Sequence, residues 1–127
     1  MKRGIVLGVL IGTGALSMGI AAQRGGPPQD NSPKVVQVDK IKDNLYVLKG
    51  GGGNTALFIT SNGGAVVDTK LPGWGQPLLE KIKMLTNKPI TTIINTHTHG
   101  DRTSGQVEFT GVTAEVVTQE ITKTNMQ

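Results

Sequence analysis

At 127 residues the chain has room for one small domain, and its complete lack of cysteine excludes disulfides and thiolate metal ligands alike. The formal charge of +4 includes Lys2 and Arg3; without them 11 basic residues stand against 9 acidic ones. With so even a balance, scattered basic residues and few aromatics, nucleic acid is not an expected partner.

Lys2 and Arg3 precede an uncharged, largely apolar run over residues 4–22 that closes on small residues at Gly19, Ala21 and Ala22. Residues 1–22 thus have the form of a secretory signal peptide, with an uncleaved membrane anchor as the alternative. The expected destination is a bacterial periplasm or the cell exterior, without stable membrane association after cleavage. Residues 23–34, holding Gly25, Gly26, Pro27, Pro28 and Pro33, read as a flexible linker, and residues 35–127 as a partial domain.

Strands are expected over residues 45–48 and 55–59, joined tightly through the glycines at 50–53, which lack the Lys-Ser/Thr and the spacing of a phosphate loop. Ser61, Asn62, Gly63 and Gly64 make a hairpin turn into a short apolar strand, residues 65–67, that ends at Asp68. After a loop with Pro72, Gly73, Trp74 and Gly75, Pro77 suits the first turn of a helix. Its Leu78, Ile82 and Leu85 recur at helical spacing, leaving Glu80, Lys81 and Lys83 mostly for solvent. Asn87 and Pro89 end it. Residues 90–95 are rich in β-branched types and predict a second strand, parallel to the first because a helix of this length is the usual crossover. Residues 115–117 read as a further strand, Thr118 as a helix cap, and residues 120–127 as the start of a helix with little apolar surface.

Both histidines of the chain, His97 and His99, stand with Asp101 inside five residues after the 90–95 strand. In extended backbone alternate side chains share a face, so the two imidazoles address one point. Gly100 is placed to let the chain turn and bring in Asp101, as an oxygen ligand or as the carboxylate that orients a metal-bound water. Imidazole plus carboxylate without thiolate suits zinc first, with iron and manganese behind. The plain alternative is a chance pair of histidines on an exposed loop. Asp68 and the histidine run both leave the carboxyl ends of parallel strands, the edge at which open α/β sheets bind ligands. Trp74, on a loop facing that edge, is either a substrate-contacting aromatic or a side chain packed on the next helix. Ser104 has no histidine left for a triad. Glu108 and Phe109 read as structural, with a short helix burying the phenylalanine.

The stretch N-T-H-T-H-G-D-R-T-S-G, residues 95–105, resembles the H-x-H-x-D loop of the metallo-β-lactamase superfamily. The resemblance runs from about Val35 to the C-terminus and takes in the Gly-rich hairpin, the Val-Val-Asp-Thr strand end and the helix before the histidine strand. It implies an α/β fold, the N-terminal part of an αββα sandwich with a mixed β-sheet and flanking helices. It further implies that His97 and His99 hold a first zinc together with a third histidine from later in such a chain. Asp101 would bind a second metal or orient the attacking water, as a catalytic residue, and Asp68 would buttress the metal loop through hydrogen bonds. Members are mostly hydrolases of small molecules, in which zinc-activated water attacks an ester, amide, thioester or phosphoester.

Two features depart from that pattern. Arg102 stands where many relatives carry a further histidine, and a guanidinium cannot ligate a metal. It neutralises Asp101, binds an anionic substrate group, or marks the loss of the second metal site. No third histidine occurs in the 127 residues, whereas a catalytic zinc normally has three protein ligands plus water. Three ligands from one short loop make a poor tetrahedral set. The chain is therefore expected to be a partial domain with one sheet face uncovered, inactive alone, and marginally stable unless a second copy or a C-terminal half completes it. The first functional reading is an exported zinc hydrolase. A noncatalytic binding module of the same fold is the second, and a metal shared between two copies the third; the substrate is open.

Overall fold

The computed structural model describes residues 31–126, so the expected signal peptide and most of the expected linker lie outside the described residues. From Ser32 onward the chain forms one unit. Its frame is a mixed sheet whose strands lie side by side in chain order: β1 (Gln37–Lys42), β2 (Leu45–Lys49), β3 (Thr55–Ile59), β4 (Gly64–Val67), β5 (Ile90–Asn95) and β6 (Glu115–Thr118). The first four pair antiparallel through short turns. At the turn between β3 and β4 the Thr60 hydroxyl donates to Gly63 O at 2.8 Å and accepts from the N–H groups of Asn62 and Gly63, each at 3.2 Å. One side chain thereby engages three backbone groups of the turn.

β5 runs parallel to β4, and β6 parallel to β5. The crossover from β4 to β5 is helix α1 (Gly75–Leu85), which buries Leu78, Leu79 and Ile82 and exposes Glu80 and Lys83, as its periodicity predicts. These side chains meet Leu48, Leu57, Val66 and Ile93 from the facing side of the sheet in one apolar core. Each such burial contributes roughly 1.5–3 kcal/mol before ordering entropy is set against it. On the other face of the sheet Phe58 on β3 and Val117 on β6 retain 43% and 44% exposure.

Three details differ from the sequence expectations. β1 is not among the expected strands, because its Asp39, Lys40 and Lys42 mask an alternation that packs only Val38 against the core; charged side chains of this kind suit the edge of a sheet. Thr118 is not a helix cap. It ends β6, where its hydroxyl reaches Asn95 O at 3.5 Å, and the last helix, α3 (Glu120–Asn125), starts from Gln119 instead. Lys34, at the end of the expected linker, donates to Gly73 O at 2.9 Å and so touches the loop before α1.

Candidate metal centre

Asp68 and the histidine run do emerge side by side from the carboxyl ends of β4 and β5, since Val67 pairs with Ile94 and Asp68 N donates to Ile94 O at 2.9 Å. His97 and His99 follow on the edge, and helix α2 (Gly100–Thr103) with a short 3-10 helix (Ser104–Glu108) carries the chain away. One ligand atom from each of His97, His99 and Asp101 lies within 4.8 Å of the other two. The loop thus brings the three expected donors together. The imidazole rings stand edge to face, with centroids 4.8 Å apart and planes at 86°. The turn that achieves this is not the expected one. Gly100 has no positive φ; it is the first residue of α2, with His99 in extended conformation as the N-cap, and the onset of the helix swings Asp101 round.

The support around the site is built from hydrogen bonds. Asp68 is 2% exposed, and its carboxylate accepts from Thr96 N at 2.9 Å and from the Thr96 hydroxyl at 2.7 Å. That hydroxyl lies 3.0 Å from His97 Nδ1. A threonine has one hydroxyl proton, and the carboxylate has none to offer in return, so the proton points at Asp68 and the oxygen accepts from His97. The hydrogen-bond network thus assigns the proton of His97 to Nδ1, which leaves the Nε2 lone pair free for a metal. Thr96 escaped the sequence reading, although a hydroxyl directly before the first histidine was the available signal.

Arg102 is engaged on several sides. Its Nη1 lies 3.4 Å from Asp68 Oδ2 and 3.3 Å from Asn54 O, and its Nε faces Asp101 Oδ2 at 3.5 Å. Of the roles open to it, charge compensation of Asp68 and Asp101 matches this placement. Trp74 is not among the converging groups. It is half-buried against the core, its ring lying over Gly51, where a Cβ would come within 2.1 Å of the indole; packing accounts for it.

Lys70 was missed as well. It follows Asp68 and Thr69 in a loop where Asp68 and Lys70 adopt φ of +63° and +75°, and its side chain is fully buried. Burial, with the positive charge of Arg102 adding to it, pushes the ammonium down to about 8. Glu108 proves structural, as expected: its carboxylate accepts from the N–H groups of Gly73 and Gln76, the latter at 3.1 Å, and so serves the start of α1, where Trp74 offers no side-chain cap. Phe109 is buried beside it. A cavity of about 450 Å³ lined by Ile82, Lys83, Pro89 and Ile90 sits at the opposite end of β5 and contains no metal-ligating side chain.

A relative from Elizabethkingia meningoseptica described as a metallo-beta-lactamase type 2 is 30% identical over 102 residues, covering 68% of this chain and 39% of that protein. The chain belongs to the metallo-β-lactamase superfamily. The fold agrees: a metallo-beta-lactamase from Pontibacter korlensis superposes with a TM-score of 0.61 at 25% identity, covering 69% of this chain and 45% of that one. A metallo-beta-lactamase from Hirschia baltica superposes with a TM-score of 0.63 at 19% identity, covering 73% and 48%. No family model matches the chain. The chain spans about two fifths of the length of the Elizabethkingia relative and less than half of each of these two structures.

Proposed function

We propose that this chain carries the metal-binding part of an exported zinc hydrolase that acts on a small molecule. The observation behind this reading is the convergence of His97, His99 and Asp101 at the carboxyl edge of β5 in a metallo-β-lactamase fold. Two imidazoles and a carboxylate match zinc, and the proton held on His97 Nδ1 leaves Nε2 as the donor. When bound, zinc would supply a Lewis acid that lowers the pKa of water and stabilises an oxyanion developing on an ester, amide, thioester or phosphoester. The chain's own residues do the rest. Asp68 and Thr96 fix the plane of His97; Asp101, held from its other side by Arg102, is placed to accept a proton or a hydrogen bond from a nucleophilic water. Export rests on the form of residues 1–22.

In a full-length protein carrying this chain, hydrolysis of a panel of β-lactams, lactones and thioesters should be abolished by a chelator and restored by zinc, and His97→Ala or His99→Ala should lower it by at least about 10²-fold. Chelator-insensitive turnover would overturn the reading. The engagement of Arg102 with both carboxylates favours a second reading, a noncatalytic module of the same fold; a folded protein that takes up no stoichiometric zinc would support that instead.

A further inference from the structure

We propose that Lys70 is a positioning residue for the metal loop: its buried side chain closes the Gly50–Gly53 turn into the surface on which Asp101 and Arg102 rest. This deepens the metal-site reading above and rests on it.

The turn joining β2 to β3 has little stiffness of its own. Gly50, Gly51 and Gly52 take φ of +106°, +69° and +95°, conformations open to glycine at the cost of a large loss of freedom on folding. Something outside the turn has to hold it. Lys70 Nζ donates to Leu48 O at 2.9 Å and to Gly53 O at 3.0 Å, carbonyls on either side of the glycine turn, and so ties its two ends together. The backbone of the next residue holds the middle, with Leu71 N donating to Gly51 O at 3.0 Å. An ammonium group suits such a clamp, being compact, carried on a flexible stem, and able to direct three protons at separate acceptors.

The closed turn then meets the site directly. Gly53 N donates to Asp101 O at 3.2 Å. A Cβ on Gly52 would lie 3.0 Å from Asp101 Cβ, and one on Gly53 would lie 2.4 Å from Arg102 Nε. Both residues of the metal loop therefore rest on bare backbone whose position Lys70 fixes. Lys70 is also tied to the far side of the loop, since its carbonyl accepts from Gly105 N at 3.0 Å. A fully buried cation with no carboxylate among its described partners is costly to keep, and an apolar side chain would fill the space without that cost. The clamp explains why a lysine is there.

The test compares the protein with its Lys70→Met variant, using Lys70→Gln, which is uncharged and carries its amide NH2 on a shorter stem, if Lys70→Met does not fold. Zinc affinity is read by competition with a chromophoric chelator, and backbone mobility by amide hydrogen exchange at Gly53, with Val66 and Leu79 as core references. The expected result is zinc affinity weaker by about 10-fold or more and faster exchange at Gly53, with the core amides unchanged. Unchanged affinity together with unchanged Gly53 exchange overturns the proposal, and so does an equal acceleration at all three amides, which marks a role in global stability alone. If the unsubstituted protein takes up no zinc, the metal reading fails, and Gly53 exchange against the core references decides the role of Lys70 by itself.

Discussion

Thr96 shows how much of a metal site is decided by a residue that touches no metal. Its single proton is taken by Asp68, so its oxygen faces His97 Nδ1 and fixes which imidazole nitrogen is free. Thr96→Val keeps the shape and removes the relay. Zinc affinity is expected to fall about 10- to 100-fold and the fold to lose about 1–3 kcal/mol, because the buried Asp68 carboxylate loses a donor, measured by chelator competition and urea denaturation. Affinity within twofold of the parent would contradict the role assigned to the hydroxyl. At this scale the sequence was legible where residue type carries chemistry. His97, His99, Asp101 and Asp68 announce themselves by spacing and by their place at strand ends. Thr96, Lys70 and the partners of Arg102 do not, because their roles come from contacts across the chain: Lys70 acts on carbonyls 22 and 17 residues away.

Among the elements, α1 and its flanking strands follow directly from hydrophobic period. Leu78 and Ile82 are buried and Leu85 is packed against the core, all three from the predicted stripe, and β4 and β5 are parallel, as a helical crossover requires. The start of α1 was less legible. Trp74 offers no capping oxygen, and the orphan amides at this end are met by Glu108 from the 3-10 helix, 35 residues from Gly73 and 32 from Gln76. Glu108→Ala is expected to destabilise the fold by about 1–2 kcal/mol, comparable to the loss of a local N-cap, in urea denaturation. A change below roughly 0.3 kcal/mol would show that water replaces the carboxylate without loss. The histidine loop is the second case of tertiary context prevailing. Gly100 has the residue type of a hinge, yet the onset of α2 makes the turn and carries Asp101 into line with the imidazoles.

Over the described residues as a whole, the sheet has a packed side and a more exposed one. Helix α1 closes one face of the sheet around Leu48, Leu57, Val66 and Ile93, while Phe58 and Val117 stay largely exposed on the other. The loops after β4 and β5 meet at the carboxyl edge, and the glycine turn between β2 and β3 supports them from beneath. Fold class and sheet edge could be read from the chain because periodicity and the strand-helix-strand rhythm encode them locally. The convergence of three donors within 4.8 Å was legible too, but the turn that brings it about was not, since it depends on where a helix begins after an extended histidine run. The central claim is that this edge binds a metal, and zinc titration followed by calorimetry on the protein and on the His97→Ala/His99→Ala pair tests it most directly. Stoichiometric zinc uptake by the protein, and none by the double variant at the same protein concentration, is the expected result. Uptake that survives loss of both histidines, or no uptake by the folded parent, would contradict it.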